Sequence, residues 1–307
     1  TVAARSRSER DKPVFAVWLG KDEQAITALH SARIPTYASE ADAVAGFQHL
    51  VRSRQAQAAL LETPPSLPED SQVDRQAAQQ QVSEALARGR RWLDPQATHA
   101  LLAAYGIDMA PLQLARDVAE VLELAQPVLE AGCTVTLKIH SADIPNKSDV
   151  HGVRLDLATL AAVRTGAEAI LDSARRLRPE AVIEGLLVQP TIVRAKAREL
   201  IAGIADDPVF GPVVVVGRGG TAVEVIDDIA LGLPPLDLRL AHEQIGRTRV
   251  SRILKGYRDV PAADERALAL LLVKLAQLAA DIPQVRTLDI NPVLVDADGV
   301  IALDARV

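Results

Sequence analysis

A chain of 307 residues is longer than one ordinary hydrophobic core and suits two units, or one large unit with an appendage. Hydrophobic residues at 49% and charged residues at 24% exclude disorder on a large scale, and aromatics at 3% leave the core to Ala, Val, Leu and Ile. A net charge of −6, with no basic run longer than Arg88 to Arg91, argues against a nucleic-acid partner and leaves small anionic ligands.

Residues 1–11, bearing Arg5, Arg7 and Arg10, read as a polar connector rather than a targeting arm. Pro13 to Leu19 then forms a short strand ended by Gly20, followed by a helix from Glu23 to Ala32, a strand through Ile34 to Tyr37, and a helix capped by Ser39. One and a half βα units are too few for a stable sheet, so residues 12–60 are expected to be the end of an α/β domain lying upstream. Thr63 to Pro68 breaks all periodicity and places a linker over 61–91, with a polar helix around Gln76 to Gln81.

A second domain is expected over 92–307. Asp94-Pro95 opens a helix through Tyr105, Met109 to Leu114 is extended, and a helix runs from Asp117 to Ala131. Cys133, the sole cysteine, excludes a disulfide framework, suits a reducing cytoplasm and reads as a buried small apolar residue. Cys133 to Ile139 alternates as a strand carrying Lys138, and a polar loop from Ser141 to Gly152 follows. A strand at Val153 to Asp156 and a helix from Ala158 to Leu177 come next, then paired strands at Ile183 to Gln189 and Arg198 to Ala205. The remainder reads as strand Val213 to Val216, loop Gly217 to Gly220, strand Thr221 to Ile226, one helical stretch from Asp237 to Leu254, and a helix from Asp264 to Ile282. Strands at Thr287 to Leu294 and Val300 to Asp304 close the chain, whose two ends read as cuts in a longer protein. The most apolar stretch, Ala267 to Ile282, is interrupted by Lys274, Gln277 and Asp281 and is too short to cross a bilayer, so no membrane is expected.

Three features could carry chemistry. Asn291 and Asp304, at facing ends of the closing strands, could offer an amide oxygen and a carboxylate to one hard cation, although an Asn-Pro turn and a strand-end Asp are also commonplace. Lys138 ends an apolar strand and could meet a phosphate, or merely reach solvent. Gly217, Gly219 and Gly220 could present N–H groups to phosphate, or serve a tight turn.

Taken together and in order, these segments resemble the ATP-grasp domain of the NDP-forming acyl-CoA ligases. The resemblance runs through Val135 to Lys138, Pro145-Asn146-Lys147-Ser148-Asp149, Glu199 to Gly203, Asp207 to Pro212, Gly217 to Glu224, and Asp289-Ile290-Asn291-Pro292. Lys12 to Val51, with Trp18-Leu19-Gly20, resembles the end of the flavodoxin-like CoA-ligase domain that precedes ATP-grasp in fused members. The resemblance implies an α/β chain whose ATP-grasp domain has two α+β lobes clasping ATP or ADP with Mg2+, and with CoA or acetyl-CoA as further ligands. It implies that Lys138 contacts phosphates, that the main chain at Gln189, Thr191 and Ile192 receives adenine, that Glu199 lies near ribose and phosphates, and that Gly217, Gly219 and Gly220 line the nucleotide. Asn291 and Asp304 would hold magnesium, and Asn146, Lys147 and Asp289 occupy the catalytic positions. Members couple ATP, a carboxylic acid and CoA through an acyl phosphate and phosphohistidines, giving acyl-CoA, ADP and phosphate.

Two departures stand out. The family loop reads His-Lys-Ser-Asp where this chain has Asn146, and a carboxamide cannot accept a phosphoryl group as imidazole does. Asp289 replaces a common glutamate. His140 or His151, the latter in place of a glycine, could substitute as acceptor. Arg247 to Pro261 and Gly299 to Arg306 resemble the members fused to a C-terminal lysine acetyltransferase domain, whose ligase-like part senses ligands rather than turning them over. Arg247, Arg249 and Arg252 read as a solvated face, with a CoA-phosphate contact as the alternative; His30, His49, His99 and His242 lack ligand spacing, and Trp92 and Tyr105 read as packing for the first helix of the domain.

Overall fold

Asp22 starts the first described helix by accepting the N–H groups of Gln24 (3.0 Å) and Ala25 (3.3 Å), satisfying donors that helix geometry leaves orphaned. The computed structural model describes residues 12–20, 22–61, 73–144, 146–220 and 226–307, with the side chains of 59–61 excepted. The expected connector over 1–11, the Thr63 to Pro68 break and nearly all of the Thr221 to Ile226 strand lie outside those residues. The chain divides into two units, Thr1–Pro65 and Ser66–Val307.

In the first unit, β1 (Ala16–Val17) pairs in parallel with β2 (Thr36–Tyr37), joined by α1 (Glu23–Ser31) and followed by α2 (Glu40–Leu61). Ser39 Oγ accepts the N–H of Asp42 at 3.2 Å, the cap expected from the sequence. Phe15 stacks on Tyr37 and meets Phe47 edge-on, both with centroids 5.8 Å apart. Val44, Phe47 and Val51 of α2 nonetheless stay exposed.

The second unit begins with α3 (Arg75–Ala87), capped by Asp74 and burying Ala78, Val82 and Ala85 at helical spacing beside α4 (Pro95–Ala104). The described part of the segment assigned to a linker is therefore folded onto this unit's core, because its small apolar stripe has a partner there. Asp94 caps α4 through the N–H of Ala97 at 2.8 Å, with Pro95 in the first turn.

Two antiparallel sheets follow. The four-stranded sheet has the order β3 (Gln113–Ala115), β6 (Gly185–Pro190), β4 (Val135–His140), β5 (Val153–Leu157). Val135, Leu137 and Ile139 point into a core with α5 (Val118–Glu130) and α6 (Leu160–Leu177), so the alternation of β4 sends Thr136, Lys138 and His140 to the opposite face. The larger sheet has the order β11 (Gly299–Ala302), β10 (Leu288–Asp296), β7 (Arg198–Asp207), β8 (Gly211–Arg218), β9 (Ile229–Gly232), with β12 (Ala305–Arg306) also on β10. It packs on α9 (Glu265–Asp281), which buries nine apolar residues, and on α7 (Leu238–Gly246).

Three expectations are corrected, and one strand is added. β6 and β7 are not paired: both edges of β6 are taken by β3 and β4, both edges of β7 by β10 and β8, and residues 191–197 carry the chain from one sheet to the other. The stretch from Asp237 to Leu254 is two helices, α7 and α8 (Ser251–Leu254), because the buried Asp228 carboxylate accepts the N–H groups of Arg249 (2.5 Å) and Val250 (2.7 Å) between them. β9, unforeseen, is a short edge strand that buries only Ala230, on the side facing α7, too brief to show periodicity. Cys133 is exposed, in the turn between α5 and β4.

Candidate functional site

The last strand-like run does not continue to Asp304. β11 stops at Ala302 and β12 restarts at Ala305, leaving Leu303 and Asp304 opposite Asn291 and Pro292 of β10. The N–H of Leu303 donates to the Pro292 carbonyl (3.0 Å) and that of Asn291 to the Asp304 carbonyl (3.1 Å), so the break is tied down. It frees the Leu303 carbonyl and the Asp304 side chain to face the other sheet.

Cations from that sheet meet them. Lys138 is buried, at 8% exposure, and an ammonium so placed needs an oxygen partner; its Nζ donates to the Leu303 carbonyl at 2.8 Å. Burial pulls its pKa below the usual lysine range and Lys147 adds to this, while Asp304 opposes it. Gln189, across from Thr136 on β6, donates to the same carbonyl at 3.5 Å. Thr191 is bound beside it, N–H to the Thr134 carbonyl and hydroxyl to Thr136, both at 2.8 Å, and Ile192 is half-buried. Lys147 opens a single 3-10 turn, Lys147–Val150, and its Nζ donates to Asp304 Oδ2 at 2.6 Å. Asn146 precedes that turn with its side chain exposed and making no cap bond.

On the larger sheet, Asn291 Oδ1 accepts the N–H of Gly220 at 3.1 Å, and the N–H of Gly219 donates to the Glu199 carbonyl at 2.9 Å. A Cβ on Gly219 would sit 2.5 Å from the Leu200 carbonyl, and Gly220 has φ +92°, so close approach and a left-handed backbone both demand glycine here. Those two N–H groups are engaged within the protein, and Gly217 is a buried member of β8. Glu199 is exposed. Asp289 is exposed too; local crowding and then the charge of Asp304 raise its pKa above the usual carboxylate range, against Lys147 and Arg306.

Beside the Lys147–Asp304 pair opens a cavity of about 520 Å3, walled by Trp92, Leu112, His140, Glu184 and Arg306 among others. The Arg306 guanidinium lies 3.7 Å from the Trp92 ring centroid. Trp92 thus lines a cavity instead of only packing a helix, whereas Tyr105 is fully buried and donates to Asp281 at 3.2 Å.

The donor set at the strand break suits magnesium. Asn291 and Asp304 supply hard oxygens, and Mg2+ takes one or two protein ligands alongside phosphate oxygens and water. Among the described residues no group of three or more His, Cys, Asp or Glu could hold a metal ion. Residues 84–307 match the sequence profile of the ATP-grasp domain. The chain belongs to the ATP-grasp domain family.

Relatives of this ATP-grasp chain agree on its surroundings. It is 37% identical over 237 residues to acetate-CoA ligase (ADP-forming) I of Archaeoglobus fulgidus, covering 77% of this chain and only 34% of that protein. With the beta subunit of acetate-CoA ligase (ADP-forming) I from Pyrococcus furiosus it shares 33% identity over 235 residues, 76% of this chain and 99% of the subunit. The chain therefore spans about a third of the single-chain ligase and nearly all of a beta subunit. The dinucleotide-forming acetyl-coenzyme A synthetase 1 of Ca. Korarchaeum cryptofilum, solved with coenzyme A, Ca-AMPCP and HgCl+, superposes with a TM-score of 0.69 at 30% identity, over 75% of this chain and 98% of that one. The same protein solved with coenzyme A and Mg-AMPPCP, its phosphohistidine segment pointing towards the nucleotide-binding site, gives 0.62 at 27% identity with the same coverage. The fold is thus the mixed α/β ATP-grasp fold, and the chain is the ATP-grasp part of an ADP-forming acyl-CoA synthetase-like protein.

Of the residues singled out from sequence, the ATP-grasp fold draws Lys138, Lys147, Gln189, Asn291 and Asp304 to the strand break, with Gly220 on Asn291. Asn146 is set beside them by chain connectivity alone. His151 is exposed at φ 52° and does not line the cavity. Sequence reasoning missed the Leu303 carbonyl, Glu184 and Arg306. A backbone acceptor has no residue signature, and Glu184 reaches the site only through the register of β6 against β4.

Proposed function

We propose that this chain binds Mg-ATP at the strand break and serves, in the cytoplasm, as the ligand-sensing ligase-like region of a protein acetyltransferase, with acetyl-CoA or CoA as its second ligand. Lys138 and Lys147 neutralise the phosphates, Asn291 and Asp304 hold the magnesium, the main chain at Gln189 to Ile192 receives adenine, and Glu199 lies towards the ribose. When bound, magnesium would offset the charge that spreads over the transferred phosphoryl group. One observation carries the reading: two lysines, one from the four-stranded sheet and one from its following loop, converge on a carbonyl and a carboxylate at the edge of the other sheet, a cation-and-oxygen pairing that magnesium and phosphate would replace group for group.

Position 146 separates sensing from turnover. A carboxamide cannot carry a phosphoryl group, so acyl-CoA formation through this loop should be absent or very weak. Calorimetry with Mg-ATP on the intact chain tests the first half, and no binding heat at millimolar ligand sinks it. Brisk ADP release dependent on a carboxylic acid and CoA would overturn the second half in favour of an active ADP-forming ligase. That second reading is favoured by the histidine in the cavity wall.

A further inference from the structure

Arg249 belongs to a basic cluster that reads as a solvated face, yet its guanidinium is engaged by the protein. Its Nη2 donates to the Ile226 carbonyl and, at 3.3 Å, to that of Asp227, while its Nε lies 3.7 Å from the Asp228 carboxylate. Asp227 stands at φ 46°, a left-handed backbone uncommon for a residue with a side chain, and the guanidinium closes over that turn. Asp228, buried next to it, accepts the N–H groups of Arg249 and Val250 on its two carboxylate oxygens and the N–H of Arg218 on its own carbonyl at 3.0 Å. A Cβ at Gly217 would collide with that carbonyl, so Asp228 also fixes how β8 ends.

Beyond Arg218 the chain runs past β7 to β10. Gly219 donates to the Glu199 carbonyl of β7, and Gly220 donates to Asn291 Oδ1 of β10. Arg249 and Asp228 thus hold the near end of a turn whose far end meets the Asn291 amide. An amide turned by 180° would offer a cation its NH2 group, which has no lone pair to give, whereas Oδ1 can accept one N–H and keep a second lone pair for the metal.

We propose that Arg249 is a positioning residue for the cation site: through Asp228 and Arg218 it holds the Gly219–Gly220 turn, and the Gly220 N–H keeps Asn291 with its oxygen available to the metal. The proposal rests on the nucleotide-binding reading, in which Asn291 is a magnesium ligand. Its effect is confined to the metal, because Lys138 and Lys147 belong to the other sheet and its following loop.

The test titrates the intact chain with ATP, with and without Mn2+, by calorimetry, and follows the Gly219 and Gly220 amides by hydrogen exchange. In the unsubstituted chain the Gly220 amide is expected to be protected and Mn2+ to raise the affinity for ATP. Arg249→Met should cut that gain severalfold and speed exchange at Gly220, while the affinity for metal-free ATP stays unchanged. Arg249→Lys, which keeps the charge without the planar fork, should recover part of the gain. Arg252→Met removes the same charge from the same exposed segment and should change neither readout. An undiminished gain in Arg249→Met, a parallel fall in both affinities, or the same loss in Arg252→Met overturns the proposal and leaves the nucleotide reading standing. A chain that binds no ATP with or without Mn2+ overturns both. Should Arg249→Met not fold, the unsubstituted chain decides: a Gly220 amide that exchanges at the rate of an open chain overturns the proposal.

Discussion

The two sheets of the second unit bring opposite chemistry to one place. The four-stranded sheet and its following loop supply Lys138, Lys147 and His140; the six-stranded sheet supplies the Leu303 carbonyl, Asp304, Asn291 and Asp289. Each set is poorly tolerated alone, since a buried ammonium and a crowded carboxylate both cost free energy without a partner. Without nucleotide the two sets satisfy one another directly. With nucleotide, the lysines can exchange a carbonyl and a carboxylate for phosphate, and the carboxylate can exchange an ammonium for magnesium. Under the proposed function, the difference between the sheets is what would favour a ligand carrying both signs of charge.

The strongest way to break that comparison is to weaken one sheet. Leu137, fully buried behind the strand that carries Lys138, should cost about 2–5 kcal/mol when changed to Ala, read by urea denaturation. Leu200→Ala in β7 should cost a similar amount, and separate transitions for the two variants would show that the sheets do not fold as one cooperative unit. Next in size, Lys138→Met should weaken Mg-ATP binding by roughly 10- to 100-fold, the worth of a charge-assisted hydrogen bond of about 1.5–3 kcal/mol. Unchanged affinity by calorimetry would remove Lys138 from the phosphate site.

Lys147→Met sharpens the comparison further, because the two ligands should respond with opposite signs. Removing the ammonium from Asp304 should raise the affinity for free Mn2+ severalfold in a titration without nucleotide, while Mg-ATP binds more weakly. A fall in both would show that Lys147 does not compete with the metal.

The smallest effects are in pH dependence. His140 is held below its ordinary 6.5, so the folded state binds fewer protons than the unfolded chain, and its contribution to stability is lost as pH falls from about 6.5 through the folded value. His140→Gln should flatten that part of the stability profile. Asp289 is raised above 3.8, so stability falls as pH rises from 3.8 through its folded value, and Asp289→Asn should be slightly more stable at neutral pH with the gap closing in acid. Solvent exposure keeps this gap small.

Much of the fold was legible where one local signal decides it. Asp94, Asp117, Thr159 and Asp264 each cap a helix at or near the expected start. The alternation of Val135, Leu137 and Ile139 marked both the strand and the face on which Lys138 stands. Failures came where a distant residue decides the outcome: Asp228 splits the helical stretch, and pairing preferences set by four other strands separate β6 from β7. The site was half legible. Lys138, Asn291 and Asp304 were visible as types and, through the family resemblance, as a set; the partners that hold them were not.

The sequence by itself determined the helix starts, the strand faces, the family wording from Val135 to Asp304, and the carboxamide at position 146, because these depend on residue type and spacing along the chain. Tertiary structure alone decided that Lys138 meets a backbone carbonyl, that Lys147 rather than solvent neutralises Asp304, that the glycine N–H groups turn inward, and that His140 faces Glu184 across a cavity wall. Each of those contacts joins segments from different strands, and register between strands is set by packing and closure of the whole sheet rather than by any local preference.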